Sequence, residues 1–317
     1  MKTVELQPVD TVEIVTLTDN YVDLVSMDNN EVVTRAIPLR GNEFSNSILA
    51  EHGFSALVRV TGQEETRSIL MDFGMSEDAA ARNAEAISLD LSVVEAAALS
   101  HGHLDHFTGM ARLGTLVGRK GVPLAVHPAA FQESRWVEPL PGLEIIMPVI
   151  TREKVRDAGF EPLESKDPVL MLDGRALFLG EIPRRTGFEK GMPNAFRREN
   201  GEKIHDPLED DTALVMNLSD KGLVVLSGCA HSGIVNTVLY AQEVTGVDQV
   251  HVVMGGFHLS GPAMAGAVDP TVAAIKDLAP AYVVPTHCTG RRAGMAFERE
   301  MPDAFVLNMS GTTLRFQ

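Results

Sequence analysis

Six consecutive positions, His101-Gly102-His103-Leu104-Asp105-His106, hold three histidines and a carboxylate, and they follow an apolar run at residues 94–99. In extended chain, alternate side chains face the same way. His101 and His103 can therefore grip one cation, while Asp105 and His106, beyond the turn that small Gly102 eases, reach a neighbouring one. Imidazole and carboxylate suit zinc, and also iron or manganese. An ion with an open coordination position acidifies the water it binds. The spacing thus has the chemistry of a metal site with room for two ions.

The elements that must position these residues follow from the pattern around them. Apolar runs at 12–18, 55–60, 68–71 and 94–99 predict strands, and the periodicity predicts helices over 77–87 and 108–117. Alternation of the two types argues for α/β layers, with the histidine cluster at a strand-to-helix junction, where open sheets bind ligands. The second half repeats one arrangement three times. A strand at 223–226 runs into Ser227-Gly228-Cys229-Ala230-His231-Ser232-Gly233, one at 250–254 into Gly255-Gly256-Phe257-His258-Leu259, and one at 281–284 into Pro285-Thr286-His287-Cys288-Thr289-Gly290. Glycine, proline and serine let the backbone turn tightly after each strand, so these ends are expected to converge on one edge.

Residues 136–206 are rich in proline, glycine and charge, with apolar islands at 143–150 and 175–179. This span reads as a cap or loop elaboration on a single domain covering residues 1–317. It contains Arg184 and Arg185, which suit either a bound phosphate or carboxylate or a solvated loop. His127 is read as structural or as a support behind the site. His52, His205 and His251 are given no role.

Composition narrows the partners. A chain of 317 residues with 44% hydrophobic content can bury one large core or two moderate ones. A formal net charge of -16 disfavours nucleic acid, whose phosphates need clustered lysine and arginine. No apolar run reaches the roughly 20 residues that span a bilayer, so no membrane partner is expected. The start Met1-Lys2-Thr3-Val4-Glu5 has no signal-peptide pattern, which places the chain in the cytoplasm. The only cysteines, Cys229 and Cys288, are therefore expected as reduced thiols and not as a disulfide. Each is open between metal ligand, support to a ligand, and small buried apolar group.

The motif His101-x-His103-x-Asp105-His106 resembles the signature of the metallo-β-lactamase superfamily, and Ile69-Leu70-Met71-Asp72-Phe73-Gly74 is similar to the strand ending in Asp-x-Gly that precedes it. The resemblance implies an αββα sandwich of two mixed sheets with outer helices, and a metal site along one edge. A narrower resemblance covers most of the chain. Asp19-Asn20, Ala50-Glu51-His52-Gly53-Phe54-Ser55, Gly180-Glu181-Ile182-Pro183-Arg184, Asp210-Asp211-Thr212-Ala213-Leu214, Gly228 to Asn236, Gly256-Phe257-His258-Leu259 and His287-Cys288-Thr289-Gly290 are similar to the branch named after an archaeal dihydropterin–ribofuranosylaminobenzene phosphate synthase.

By this resemblance His101, His103, Asp105, His106 and His287 are the metal ligands. Superfamily hydrolases place a further ligand histidine before a strand ending in Gly-Asp, whose carboxylate bridges the metals, but here Gly228-Cys229 stands in that place. His231 is the candidate for the missing imidazole, and Glu181 or Asp211 for the carboxylate. Cys229, Asp211 and Asp72 are candidates for supporting the ligands from behind. His258 is open between ligand, substrate-facing or oxyanion-stabilising group, and structural residue.

The activity implied is metal-dependent hydrolysis with two ions, zinc being expected and manganese or iron the alternatives. His101, His103 and His231 would hold one ion, and Asp105, His106 and His287 the other. Asp105 would also orient the attacking water, whose pKa falls toward ~7 on a metal. A small anionic or phosphorylated substrate would bind beneath residues 136–206, held by Arg184, Arg185 and Glu181. Two alternatives stand beside it: a transferase joining a pterin methyl diphosphate to an aromatic amine, and a non-catalytic ligand-binding member. The fold does not choose the bond cleaved, and the sequence does not disclose the oligomeric state.

Overall fold

The computed structural model describes residues 3–44 and 46–317; of the amino-terminal segment read above, Met1 and Lys2 lie outside them. Strands rich in valine, isoleucine, leucine and alanine build two mixed sheets. The order in the first is Phe160–Glu164, Val122–Val126, Ala96–Ala98, Glu65–Met71, Ser55–Gly62, Thr11–Thr18, Thr312–Phe316 and Val33–Arg35. In the second it is Val169–Met171, Ala176–Phe178, Ala213–Leu218, Gly222–Cys229, Val250–Gly256 and Tyr282–Thr286, with Pro8–Val9 running parallel to Ala213–Leu218.

Both faces of each sheet are buried, so the central strands read as unbroken apolar runs. The pleat sends Val58, Ile69, Ala96, Ala98, Val224, Leu226 and Met254 into the core shared by the two sheets. Their neighbours Leu57, Leu70, Ala97 and Leu99 face outward, onto Ala80 and Ala84 of helix Ala79–Ala86, Leu113 and Val117 of helix Met110–Val117, and Val155 of helix Arg152–Asp157. On the other side Val225, Val253 and Val283 meet Val238 and Ala241 of helix Ile234–Thr245, Val272 and Ile275 of helix Val268–Leu278, and Phe297 of helix Arg291–Glu300. This is the αββα sandwich. Burial at about 25 cal/mol per Å² of apolar surface, repeated across three such interfaces, is its main source of cohesion.

The span 136–206 is not one elaboration. Its flanks form a separate four-stranded sheet from Arg135–Leu140, Leu143–Met147, Ala195–Glu199 and Glu202–His205. The middle instead completes both main sheets: Phe160–Glu164 pairs in parallel with Val122–Val126, and Ala176–Phe178 pairs with Ala213–Leu218. The physical reason is that edge strands carry apolar residues on one face or in short islands, and their partners are remote in sequence. Among the described residues no helix is long and apolar enough to cross a membrane.

Three neighbouring strands set the site. Gly222–Cys229, Val250–Gly256 and Tyr282–Thr286 run parallel, and their register aligns Cys229 with Gly256 and Gly256 with Thr286. Their carboxyl ends therefore finish level, and the three histidine loops leave from one edge. The first sheet contributes Ala96–Ala98, whose continuation carries Ser100 to His103 into the same place.

Candidate functional site

His101, His103 and His231 form a triangle of imidazoles, with ring centroids 4.5, 4.7 and 4.9 Å apart. His101 Nε2 and His231 Nε2 approach to 3.1 Å. Next to this triangle, the Asp105 carboxylate lies 3.1 Å from His287 Nε2 and 3.8 Å from His106 Nε2. The rings of His106 and His287 are 4.9 Å apart. The structure thus gathers all six residues singled out as ligands, from three segments of the chain.

The electrostatics of the cluster favour cation binding. Burial lowers the pKa of His101 and His231 well below the ordinary imidazole value, helped by their histidine neighbours. Burial likewise lowers His103 to about 3, and His258 and His287 to about 4. These rings are held neutral, as a metal requires. His106 goes the other way: burial pulls its pKa down, but the charges of Asp72 and Asp105 outweigh that and raise it. For Asp105, burial opposes ionisation, yet His106 and His287 more than offset it and hold the carboxyl well below its usual range. His103 Nε2 and His106 Nε2 are buried without a hydrogen-bond partner. Leaving such nitrogens unpaired is costly, and a bound cation would satisfy them, so the donor set fits divalent metal.

The loops are held from behind by carboxylates. Asp72 accepts the Ser100 backbone N–H and the Ser100 hydroxyl, both at 2.7 Å, and contacts His106 Nδ1 at 2.7 Å. A Cβ at Gly228 would overlap both Ser100 Oγ and Asp72, so this is a place where only glycine lets the two sheets close. Asp210 accepts the Gly102 N–H, and buried Arg135 bridges Asp210 and Asp206. Asp19 accepts the His287 N–H at 2.8 Å while Asn20 donates to the His287 carbonyl at 2.8 Å. Asp211 accepts the Ser232 N–H at 2.6 Å, steadying the turn after His231, and burial raises its pKa to about 7.

Other expectations fare differently. Cys229 and Cys288 form a disulfide, against the reading of two free thiols. The parallel register explains it: the strand ends adjoin, and the two Cα atoms stand 6.3 Å apart, within disulfide reach. Cys229 Sγ also lies 3.4 Å from His258 Nδ1. Arg185 pairs with Glu243 on the outer helix and is not gathered with the histidines. Arg184 reaches the Pro207 carbonyl and stands close enough to Asp211 and His231 for its charge to act on both. Glu181 faces His127 at 3.5 Å and Lys166 at 3.7 Å, and among the described residues neither it nor Asp211 joins the converging ligand atoms.

His52, given no role above, is at the site: its ring centroid is 4.8 Å from that of His287, and its nitrogens converge with Asp105 and His287. His205 and His251 lie elsewhere, against Phe196 and Tyr282. Asp19, Arg135, Asp206 and Asp210 were missed as supports. Only the motif Asp19-Asn20 and the pair Asp210-Asp211 carried a signal for them.

Two clefts of about 410 Å³ flank the loop after His258. One is lined by Leu259, Ser260, Thr289, Arg291 and Arg292, the other by Phe188, Lys190, Gly191, Met264 and Ala267. Both offer cations and apolar wall together.

The model of the metallo-beta-lactamase superfamily matches residues 50–287, and the chain belongs to that superfamily. Within it, the chain is similar to the 7,8-dihydropterin-6-methyl-4-(beta-D-ribofuranosyl)-aminobenzene-5'-phosphate synthase of Methanocaldococcus jannaschii, at 28% identity over 93% of this chain and 99% of that one. Among solved structures, a metal-dependent hydrolase of the beta-lactamase superfamily aligns with a TM-score of 0.72 and 25% identity, covering 96% of this chain and 98% of the other. The metallo-beta-lactamase fold protein YhfI of Bacillus subtilis shares the fold, with a TM-score of 0.52 and 12% identity over 97% of this chain and 100% of its own.

Proposed function

We propose that this chain is a metal-dependent hydrolase acting on a small anionic or phosphorylated substrate, with two divalent cations, zinc first and manganese or iron as alternatives. The observation that carries the reading is the pairing of a neutral His101–His103–His231 triangle with an adjoining Asp105–His106–His287 group, with buried nitrogens of His103 and His106 lacking partners. His101, His103 and His231 would hold one cation and Asp105, His106 and His287 the other. Such ions supply acidified water at neutral pH and polarise a substrate oxygen.

The chain's own groups do the rest. Asp105, kept ionised by its histidine neighbours, orients the attacking water and accepts its proton at Oδ2. His258, neutral and set beside His231 with ring centroids 4.2 Å apart, faces the substrate and donates a hydrogen bond to its developing charge. Arg184 attracts the anionic group, and the clefts beside residues 188–191 and 259–267 take the organic part. Asp72, Asp211 and the Cys229 pair support the ligands. Arg185 and Glu181 contribute only to the approach. The setting proposed is cytoplasmic, and the catalytic unit one domain.

A transferase is the second reading, favoured by the 28% identity to the synthase across nearly the whole of both chains. There the same cations would bind a leaving diphosphate. The test is to strip the protein, restore zinc, manganese or iron, and offer phosphomonoesters, phosphodiesters, lactones and thioesters alone. Turnover without a second organic substrate is expected. Product only when a pterin methyl diphosphate and an aromatic amine are both present would replace hydrolase with transferase. Metal content near zero after reconstitution, with no turnover, would overturn both.

A further inference from the structure

We propose that Cys229 is a metal ligand held in reserve, locked by its bond to Cys288 and released when a dithiol reductant opens that bond. The inference rests on the reading that the histidines hold metal, and it concerns the regulation of that same centre.

Cys229 ends the strand Gly222–Cys229 at the middle of the site and is buried. Its sulfur converges within 4.8 Å with nitrogens of His101 and His231, and within the same span with nitrogens of His106 and His287. Among the described residues no other ligand atom is common to both of these groups. A thiolate at this place would be within reach of cations held by either group. The independent sign of an incomplete coordination shell is on the nitrogens, since His106 Nε2 and His103 Nε2 are buried and unpaired. Among the described residues the carboxylates of Glu181 and Asp211 do not converge with these atoms, Glu181 facing His127 and Asp211 holding the Ser232 N–H through one oxygen.

A disulfide sulfur is a poor ligand, whereas a thiolate is among the best for zinc. Opening the bond changes one into the other. The reductant gives two electrons and two protons and becomes a disulfide itself. The Cys229–Cys288 bond breaks to two thiols, and on coordination Cys229 releases its proton to solvent while Cys288 stays protonated. Cys288 has room to remain where it is: a Cβ at Gly256 would stand 2.6 Å from its sulfur, and glycine leaves that space free. The partner of Cys229 thus follows directly on a proposed ligand, His287, so the bond and the metal compete for one sulfur. In a reducing compartment the open form prevails, and oxidative conditions would withdraw that ligand.

The experiment uses the full chain, metal-stripped, in its oxidised form and after a dithiol treatment removed by anaerobic gel filtration. Each is titrated with Zn²⁺ against a chromophoric chelator and with Co²⁺ by absorption. Reduction is expected to tighten Zn²⁺ binding at least tenfold and to bring up a sulfur-to-cobalt charge-transfer band. Cys288→Ser is expected to show that band without reductant, and Cys229→Ser to lack it in both states. Equal affinity in both states with no band in the reduced wild-type chain overturns the inference and leaves the histidine metal site standing. No binding in either state overturns the metal reading and this inference with it.

Discussion

Asp72 controls the proposed centre without being one of its ligands. From one buried position it accepts two hydrogen bonds from Ser100 and fixes the ring of His106 through Nδ1, leaving Nε2 to point into the cluster. Partners of this kind set tautomer and orientation, and losing one costs roughly 10–100-fold in metal affinity. Asp72→Asn is therefore expected to lower Zn²⁺ affinity by about that factor while the fold persists, as measured by chelator competition; unchanged affinity would remove Asp72 from this role. The residue was legible because it belongs to a local pattern, a strand ending in Asp-x-Gly. Asp19 was harder to see. Its partners His287, Asn308 and Ser310 stand nearly the whole chain away, and no spacing rule connects residues 268 to 291 positions apart.

At the level of elements, the loop His101-Gly102-His103 depends on a sheet that contributes no ligand. Arg135 opens the strand Arg135–Leu140 and drives its guanidinium between Asp206 and Asp210, and Asp210 in turn holds the Gly102 N–H at 2.8 Å. All three charges are buried. Removing the cation leaves Asp210 with no cationic partner and Asp206 with only Arg197 at 3.7 Å, and breaking a buried pair in this way typically costs about 3–5 kcal/mol. Arg135→Met should destabilise the protein by about 3–5 kcal/mol in urea unfolding, and loosen the first two histidines, read as a drop in bound metal per chain. A loss under 1 kcal/mol would mean the strut is solvated. Strand-to-histidine junctions could be found in the sequence, since an apolar run followed by glycine, proline or serine is a local signal. Helix starts could not. Helix Ile234–Thr245 is capped by Glu189, whose carboxylate accepts the Val235 and Asn236 N–H groups from across the molecule, and Gly233 at φ 99° makes room for it.

Across the whole molecule, burying so many titratable groups together gives stability a defined pH dependence. In the metal-free chain seven imidazoles, those of His101, His103, His127, His231, His251, His258 and His287, have pKa values below the unfolded value of 6.5. Below that value the unfolded chain takes up protons that the native state refuses, so their contribution is present above pH 6.5 and is lost as pH falls toward about 4. Asp19 and Asp211, raised by burial to about 6 and about 7, act oppositely, stabilising at low pH and losing effect as pH rises through those values. Raised His106 sides with them. Glu189, raised by burial, sides with them too; seven imidazoles outweigh these four groups, so the urea midpoint of the stripped protein should fall between pH 6.5 and 4, and a midpoint that rises over this interval would refute the balance.

The two-sheet architecture was readable from strand alternation, but the division of residues 136–206 among three sheets was not, because it depends on long-range pairing. That same dependence bears on how the chain reaches its shape. Strand Thr312–Phe316 sits inside the first sheet, between Thr11–Thr18 and Val33–Arg35, and Thr16 is hydrogen-bonded to Asn308 across 292 positions. During synthesis the earliest strands must therefore wait, with one side of Thr11–Thr18 open, until nearly all of this chain has emerged. Contacts so remote in sequence make for slow closure, and a nascent chain of this design has reason to need protection from chaperones until that late strand docks.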